Sequence, residues 1–153
     1  DHNQRLLRVQ QDEKWASLLL SGQWNHFIKM WNSQAVFSND SVGFDRHEMD
    51  YNPNKLAQGL LGGSLGNQDC LNDSIASLPM PILWVTGGLD KKYCALATGV
   101  SLYNPLSRKI EIEGAGHRVP WSHPNVFKAS LLQFISPLSK VVDLESLASP
   151  VLP

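Results

Sequence analysis

The sequence predicts an α/β chain: a helical first half, then a βαβα unit built on a parallel sheet. Three observations carry this reading. Apolar residues recur at helical spacing from Gln4 to Leu20 and again from Trp24 to Gln34. Two short runs, Ile82 to Thr86 and Lys109 to Glu113, are each stopped by glycine, as strands are. A helical pattern follows each run, and strand, helix, strand, helix in that rhythm implies parallel strands.

The elements follow in order. In the first helix Leu6, Leu7, Trp15, Leu18 and Leu19 stand among polar residues, an amphipathic pattern. The second takes Phe27, Ile28, Met30 and Trp31 as its apolar side. From Asn39 to Asp50 the composition turns polar and predicts a loop or a ragged helix. Pro53 suits the first turn of a third helix, Asn54 to about Leu61, which Gly62-Gly63 ends. Pro79 and Pro81 then frame Ile82-Leu83-Trp84-Val85-Thr86, a strand expected to be buried on both faces. A helix from about Lys92 to Leu102 precedes the second strand. A last helix begins near His123-Pro124 and carries Val126, Phe127, Leu131, Leu132, Phe134 and Ile135. The expected organisation is a helical region over 1–78, the βαβα part over 79–136 and a fraying tail over 137–153. Two strands are too few to cover both faces of a parallel sheet. The reading is therefore of a partial fold, with the N-terminal half of the sheet outside this chain.

Composition narrows the function classes. The 153 residues fit one domain, with 42% hydrophobic and 18% charged residues. Lys+Arg 13 against Asp+Glu 14 leaves a net charge of −1, with no basic face for a nucleic acid. No apolar run approaches the roughly 20 residues of a membrane span. Cys70 and Cys94 form no C-x-x-C and read as free, packed thiols, compatible with a reducing compartment. No leader fixes a compartment; the cytoplasm and the plastid stroma are the most compatible. The chain opens Asp1-His2-Asn3 and its first Met is Met30, which reads either as removal of a leader or larger N-terminal part, or as a fragment.

The chemistry should gather at the carboxyl ends of the strands. Asp90 follows the first strand in Thr86-Gly87-Gly88-Leu89-Asp90, and His117 follows the second in Gly114-Ala115-Gly116-His117. Parallel strands send both loops to the same edge. A carboxylate on one imidazole nitrogen fixes the tautomer and leaves the other nitrogen as a base. Gly62-Gly63-Ser64-Leu65-Gly66 matches a nucleophile elbow in letters. Its context is wrong: the elbow serine sits between a strand and a helix, whereas Ser64 follows a helical pattern. Too few residues separate it from Asp90, so Ser64 is set aside as a decoy. His2, His26, His47 and His123 lack metal-ligand spacing, and no glycine-rich phosphate loop opens a helix. No metal and no cofactor is expected.

Thr86 to Tyr93 and Gly114 to His117 resemble the last two catalytic segments of an α/β-hydrolase. The helical half resembles the lid of one subfamily, the 2-succinyl-6-hydroxy-2,4-cyclohexadiene-1-carboxylate synthases of menaquinone and phylloquinone biosynthesis. Arg5, Arg8 and Asp12-Glu13-Lys14-Trp15-Ala16 match its Arg-rich first helix ending in Asp-x-x-Trp-Ala. Trp31-Asn32-Ser33-Gln34-Ala35-Val36-Phe37 and Asn52-Pro53-Asn54-Lys55-Leu56-Ala57 match two further segments, and Asp90 to Tyr93 matches Asp-x-Lys-Phe/Tyr. The resemblance implies an α/β-hydrolase fold, of which this chain holds the lid and the last two parallel strands with their helices. It implies a lyase that eliminates pyruvate from a succinylated precursor, the triad serine acting as base on a substrate proton.

Carried over by position, Asp90 would orient His117, and His117 would hold that serine deprotonated. Arg8 would reach the carboxylates of a small-molecule substrate, and Trp31 would line the pocket. The serine itself would come from the missing N-terminal half. Two positions depart from the pattern. Glu48 stands where the subfamily carries a further substrate arginine, with Arg46 two residues earlier, and Pro120 and Ser122 replace a usual histidine and glutamate. Two other readings stand beside the first: another α/β-hydrolase, an esterase or carbon–carbon bond hydrolase, and a non-catalytic interaction piece.

Overall fold

The structure, a computed structural model, describes residues 2–40 and 45–148, with side chains through 138. The chain divides into two compact units: residues 1–35 with 43–71, and residues 36–42 with 72–153.

The first unit is helical. Helix α1 (His2–Leu20) buries Asp12, Trp15, Ala16 and Leu19, which the 3.6-residue repeat places on one stripe with Arg5 and Arg8. Leu6 and Leu7 fall on its flanks and are 48% and 64% exposed, so they leave the apolar face that the sequence assigns them. Helix α2 (Trp24–Asn32) contributes Trp24 and Phe27 to the core, and α3 (Pro53–Gly62) contributes Ala57. Trp15 meets Phe27 edge-on at 6.1 Å and Trp31 at 5.4 Å. The Trp24 Nε1–H donates to the Arg46 carbonyl at 2.8 Å, which satisfies its only donor. Helix α3 starts as its sequence requires: Asn52 caps it by accepting from the Lys55 N–H at 3.1 Å, and Pro53 occupies the first turn. Of the polar stretch Asn39–Asp50, residues 41–44 lie outside the described residues. Glu48–Asp50 forms a single 3-10 turn.

The second unit holds the sheet. Strands β1 (Leu83–Gly87) and β2 (Arg108–Ile112) pair in parallel, with Val85 opposite Ile110. The strands sit one residue from the expected bounds, β1 later and β2 earlier, and the Ser107 Oγ accepts the Ile82 N–H at 3.0 Å ahead of the first rung. Among the described residues these two strands are the whole sheet. Neither is buried on both faces as the sequence reading expects of β1: Leu83 to Val85 are half-buried, and four of the five β2 residues keep exposure. Helix α4 (Asn72–Ala76) was not expected; five residues are too few for a periodic signal. Helix α5 (Lys91–Gly99) packs on β1, and α7 (Pro124–Ala148) packs on β2 after the short α6 (Val119–Ser122). Ile112, Ala115 and Val119 form the core here, with Val85, Ile110 and Phe127 against it. Helix α7 continues through Pro137 to Ala148, past the point at which the sequence reading begins a tail. Pro137 costs one helical hydrogen bond, and the surrounding turns carry the helix across it.

The unit division also differs from a boundary at residue 78. Residues 36–42 group with the sheet, Asn39 and Asp40 bonding to the loops that follow β1 and β2, and 72–78 group there too, the Ala76 carbonyl accepting from the Tyr103 N–H at 3.2 Å.

Candidate active site

The carboxyl edge of the parallel pair is stitched together by backbone before any side chain is considered. The Gly88 N–H donates to Ile112 O and the Leu89 N–H to Ala115 O, both at 2.9 Å, so the turn after β1 lies on the loop after β2. Two glycines make that loop possible. Gly114 takes a left-handed φ of +73°, which favours glycine. At Gly116 a Cβ would meet the Asn39 carbonyl at 2.8 Å and run into Asp40 Oδ1.

Asp90 caps α5: its Oδ1 accepts from the Tyr93 N–H at 3.3 Å. Its Oδ2 lies 2.6 Å from His117 Nδ1. One buried carboxylate, with its side chain 6% exposed, thus serves the helix with one oxygen and the imidazole with the other. Charge-assisted hydrogen bonds of this kind contribute about 1.5–3 kcal/mol. A donor at Nδ1 leaves Nε2 as the proton acceptor, and the His117 side chain is 30% exposed. The Tyr93 ring sits 4.7 Å from the imidazole and the Phe37 ring 5.6 Å from it, so apolar faces brace His117. The arrangement is an acid–histidine pair able to take a proton from a hydroxyl.

Four neighbours escaped the sequence reading. Tyr93 stands in the Asp90-to-Tyr93 motif without an assigned role; its place at the third position after a capping Asp is a readable signal. Phe37 closes the Trp31-to-Phe37 segment without an assigned role, and Asp40 and Arg118 carry no signal, since they stand 78 residues apart in sequence.

Arg8 and Trp31 lie in the helical unit. The Arg8 Nε donates to Asp12 Oδ2 at 2.8 Å, with Arg8 46% and Asp12 2% exposed at the side chain. Trp31 packs partly buried against the Trp15 and Phe27 cluster. Ser64 follows helix α3, is 1% exposed and accepts the Gly66 N–H at 3.3 Å, so the strand-to-helix context of an elbow is absent. Glu48 is exposed on its 3-10 turn. Among the described residues no group of three His, Cys, Asp or Glu side chains is placed to hold a metal, and no helix is long and apolar enough to cross a membrane.

No protein-family model matches the chain. Curated proteins do. A 2-succinyl-6-hydroxy-2,4-cyclohexadiene-1-carboxylate synthase of Yersinia pseudotuberculosis serotype O:3 (strain YPIII) is 30% identical over 137 residues, 86% of this chain and 48% of its own. A protein of Bacillus subtilis (strain 168) is 26% identical over 140 residues, 87% of this chain and 51% of its own. The chain spans about half the length of the curated relatives it matches. Among solved structures, MenH from S. aureus superposes with a TM-score of 0.78 at 20% identity, over 90% of this chain and 54% of that one. Over most of its length this chain is therefore similar to 2-succinyl-6-hydroxy-2,4-cyclohexadiene-1-carboxylate synthases, as its motifs imply, and it shares the α/β-hydrolase fold of MenH across about half of that protein.

Proposed function

We propose that this chain is the lid and C-terminal half of an α/β-hydrolase-fold lyase that eliminates pyruvate from a succinylated cyclohexene carboxylate in menaquinone or phylloquinone biosynthesis. The observation that carries the reading is the 2.6 Å contact between Asp90 Oδ2 and His117 Nδ1 at the carboxyl edge of a parallel sheet. In this reading Asp90 holds the tautomer and orientation of His117. The His117 Nε2 takes the proton of a serine supplied by a segment outside this chain, and the serine oxygen abstracts the substrate proton.

The half-exposed strands support a larger sheet, since parallel strands are ordinarily covered on both faces. Arg8 recognises a substrate carboxylate. Its Nε is committed to Asp12, and the two terminal nitrogens of its fork suit a bidentate anion. Trp31 provides an apolar wall.

The test is pyruvate release by a fusion of this chain to the half of such an enzyme that carries a Gly-x-Ser-x-Gly segment. Activity that disappears with His117→Ala supports the reading; a folded fusion without pyruvate release overturns it. Glu48 favours a second reading, an esterase or carbon–carbon bond hydrolase with a neutral substrate, because a carboxylate there repels an anion. Arg8→Ala separates the two: it raises KM for an anionic substrate and leaves KM for a neutral ester unchanged.

A further inference from the structure

We infer that residues 37–40 form a strap that holds the Asp90 and His117 loops in register, with Asp40 as a positioning residue acting through Arg118. The inference rests on the Asp90–His117 reading above and deepens it. The strap touches both loops. On the acid side, Asn39 Nδ2 donates to the Leu89 carbonyl, one residue before Asp90, at 3.1 Å. On the histidine side, the Arg118 N–H, one residue after His117, donates to Asp40 Oδ1 at 3.1 Å. Asp40 Oδ2 stands 3.5 Å from Arg118 Nε, an ion pair longer than a hydrogen bond, with side chains only 3% and 9% exposed. The Phe37 ring lies under the guanidinium, 3.9 Å from Arg118 Cζ, and 5.6 Å from the imidazole.

Desolvating a carboxylate and a guanidinium is costly, so this pair is poorly explained as a source of stability alone. Geometry gives it a purpose. The backbone turn at 114–118 has no side chain at Gly116, and the strap fills that gap: the Asn39 carbonyl and Asp40 Oδ1 both approach the Gly116 Cα face. Without the strap the two loops are joined at their tips by the Asp90–His117 hydrogen bond and the Leu89 N–H to Ala115 O bond. Opening there would let water compete for Nδ1 and release the tautomer.

The experiment reads solvent exchange of the His117 Nδ1 proton by nitrogen-15 NMR of the full 153-residue chain, with β1–β2 ladder amides as the internal control. Asn39→Ala removes an exposed side chain that makes one bond to the acid loop, so it leaves the fold intact. Asp40→Ala paired with Arg118→Met removes both buried charges together and avoids stranding either. Each is expected to speed exchange at Nδ1 about tenfold, the factor that losing one hydrogen bond across a closed loop produces, with ladder amides unchanged. Asp40→Glu, which retains the charge, restores part of the protection.

Exchange within twofold of wild type in both variants overturns the strap. Equal acceleration of Nδ1 and the ladder amides also overturns it, since that marks a purely structural role. A wild-type His117 protonated only at Nε2 overturns the acid–histidine reading itself, and so distinguishes that failure from the strap's.

Discussion

The two units solve different problems with different physics. In the helical unit the organising force is burial: Trp15, Leu19, Trp24 and Phe27 close on one another, and Asp12 is buried on the same stripe with the half-exposed Arg8 paired to it. In the sheet unit the apolar core is small: among the described residues Ile112, Ala115 and Val119 cluster and Ala76, Ala97 and Val100 are also buried, while Asp90, Thr86 and Arg118 are buried as well. Stability in the first is spread over many van der Waals contacts, each replaceable in kind. The second holds a few buried polar contacts, among them the Asp90–His117 pair of the proposed function, whose loss has no apolar substitute.

The sharpest way to break this contrast is at the acid–histidine pair. In the fused enzyme, His117→Ala and Asp90→Asn should each lower kcat by about 10²- to 10⁴-fold, the range for losing a positioned general base. Steady-state pyruvate release measures it, and losses under tenfold would mean that the chemistry lies elsewhere. Trp15→Ala should destabilise the helical unit by about 3–5 kcal/mol, because a large buried ring leaves a cavity. Loss of helical circular dichroism at a lower urea midpoint reports it. Gly116→Ala should reduce activity about 10²-fold through displacement of the His117 loop, since its Cβ overlaps the strap. Unchanged kcat in that variant would show that the loop has slack. The smallest effect belongs to local structure: Asn52→Ala should cost about 1 kcal/mol by removing the cap on α3, read as a shift in urea midpoint.

Sequence legibility follows the same division. Helices α1, α2 and α3 were readable because their apolar spacing is long and their punctuation, Asn52-Pro53 and Gly62-Gly63, is chemical. The two strands were readable within one residue because glycine stops each of them. Leu6 and Leu7 misled because periodicity assigns a face without knowing where the neighbouring helix lies; the stripe through Arg5, Arg8 and Asp12 is the one that packs. Helix α7 was cut short at Pro137 because a proline forbids one bond but not the turns on either side.

Asp90 and His117 were legible for a topological reason. In a parallel sheet every loop after a strand leaves the same edge, so their proximity follows once the strands are recognised. The pairing of Arg118 with Asp40 was not, because no local pattern couples residues 78 apart. By itself the sequence determined the longer helices of the first unit, both strands and which edge carries the ionisable pair, since spacing and glycine punctuation are properties of neighbours along the chain. Only the tertiary structure decided that Asp90 divides its oxygens between α5 and His117, and that Asp40 counters Arg118 beside them. Buried charges choose their partners by distance in space, which the order of residues does not state.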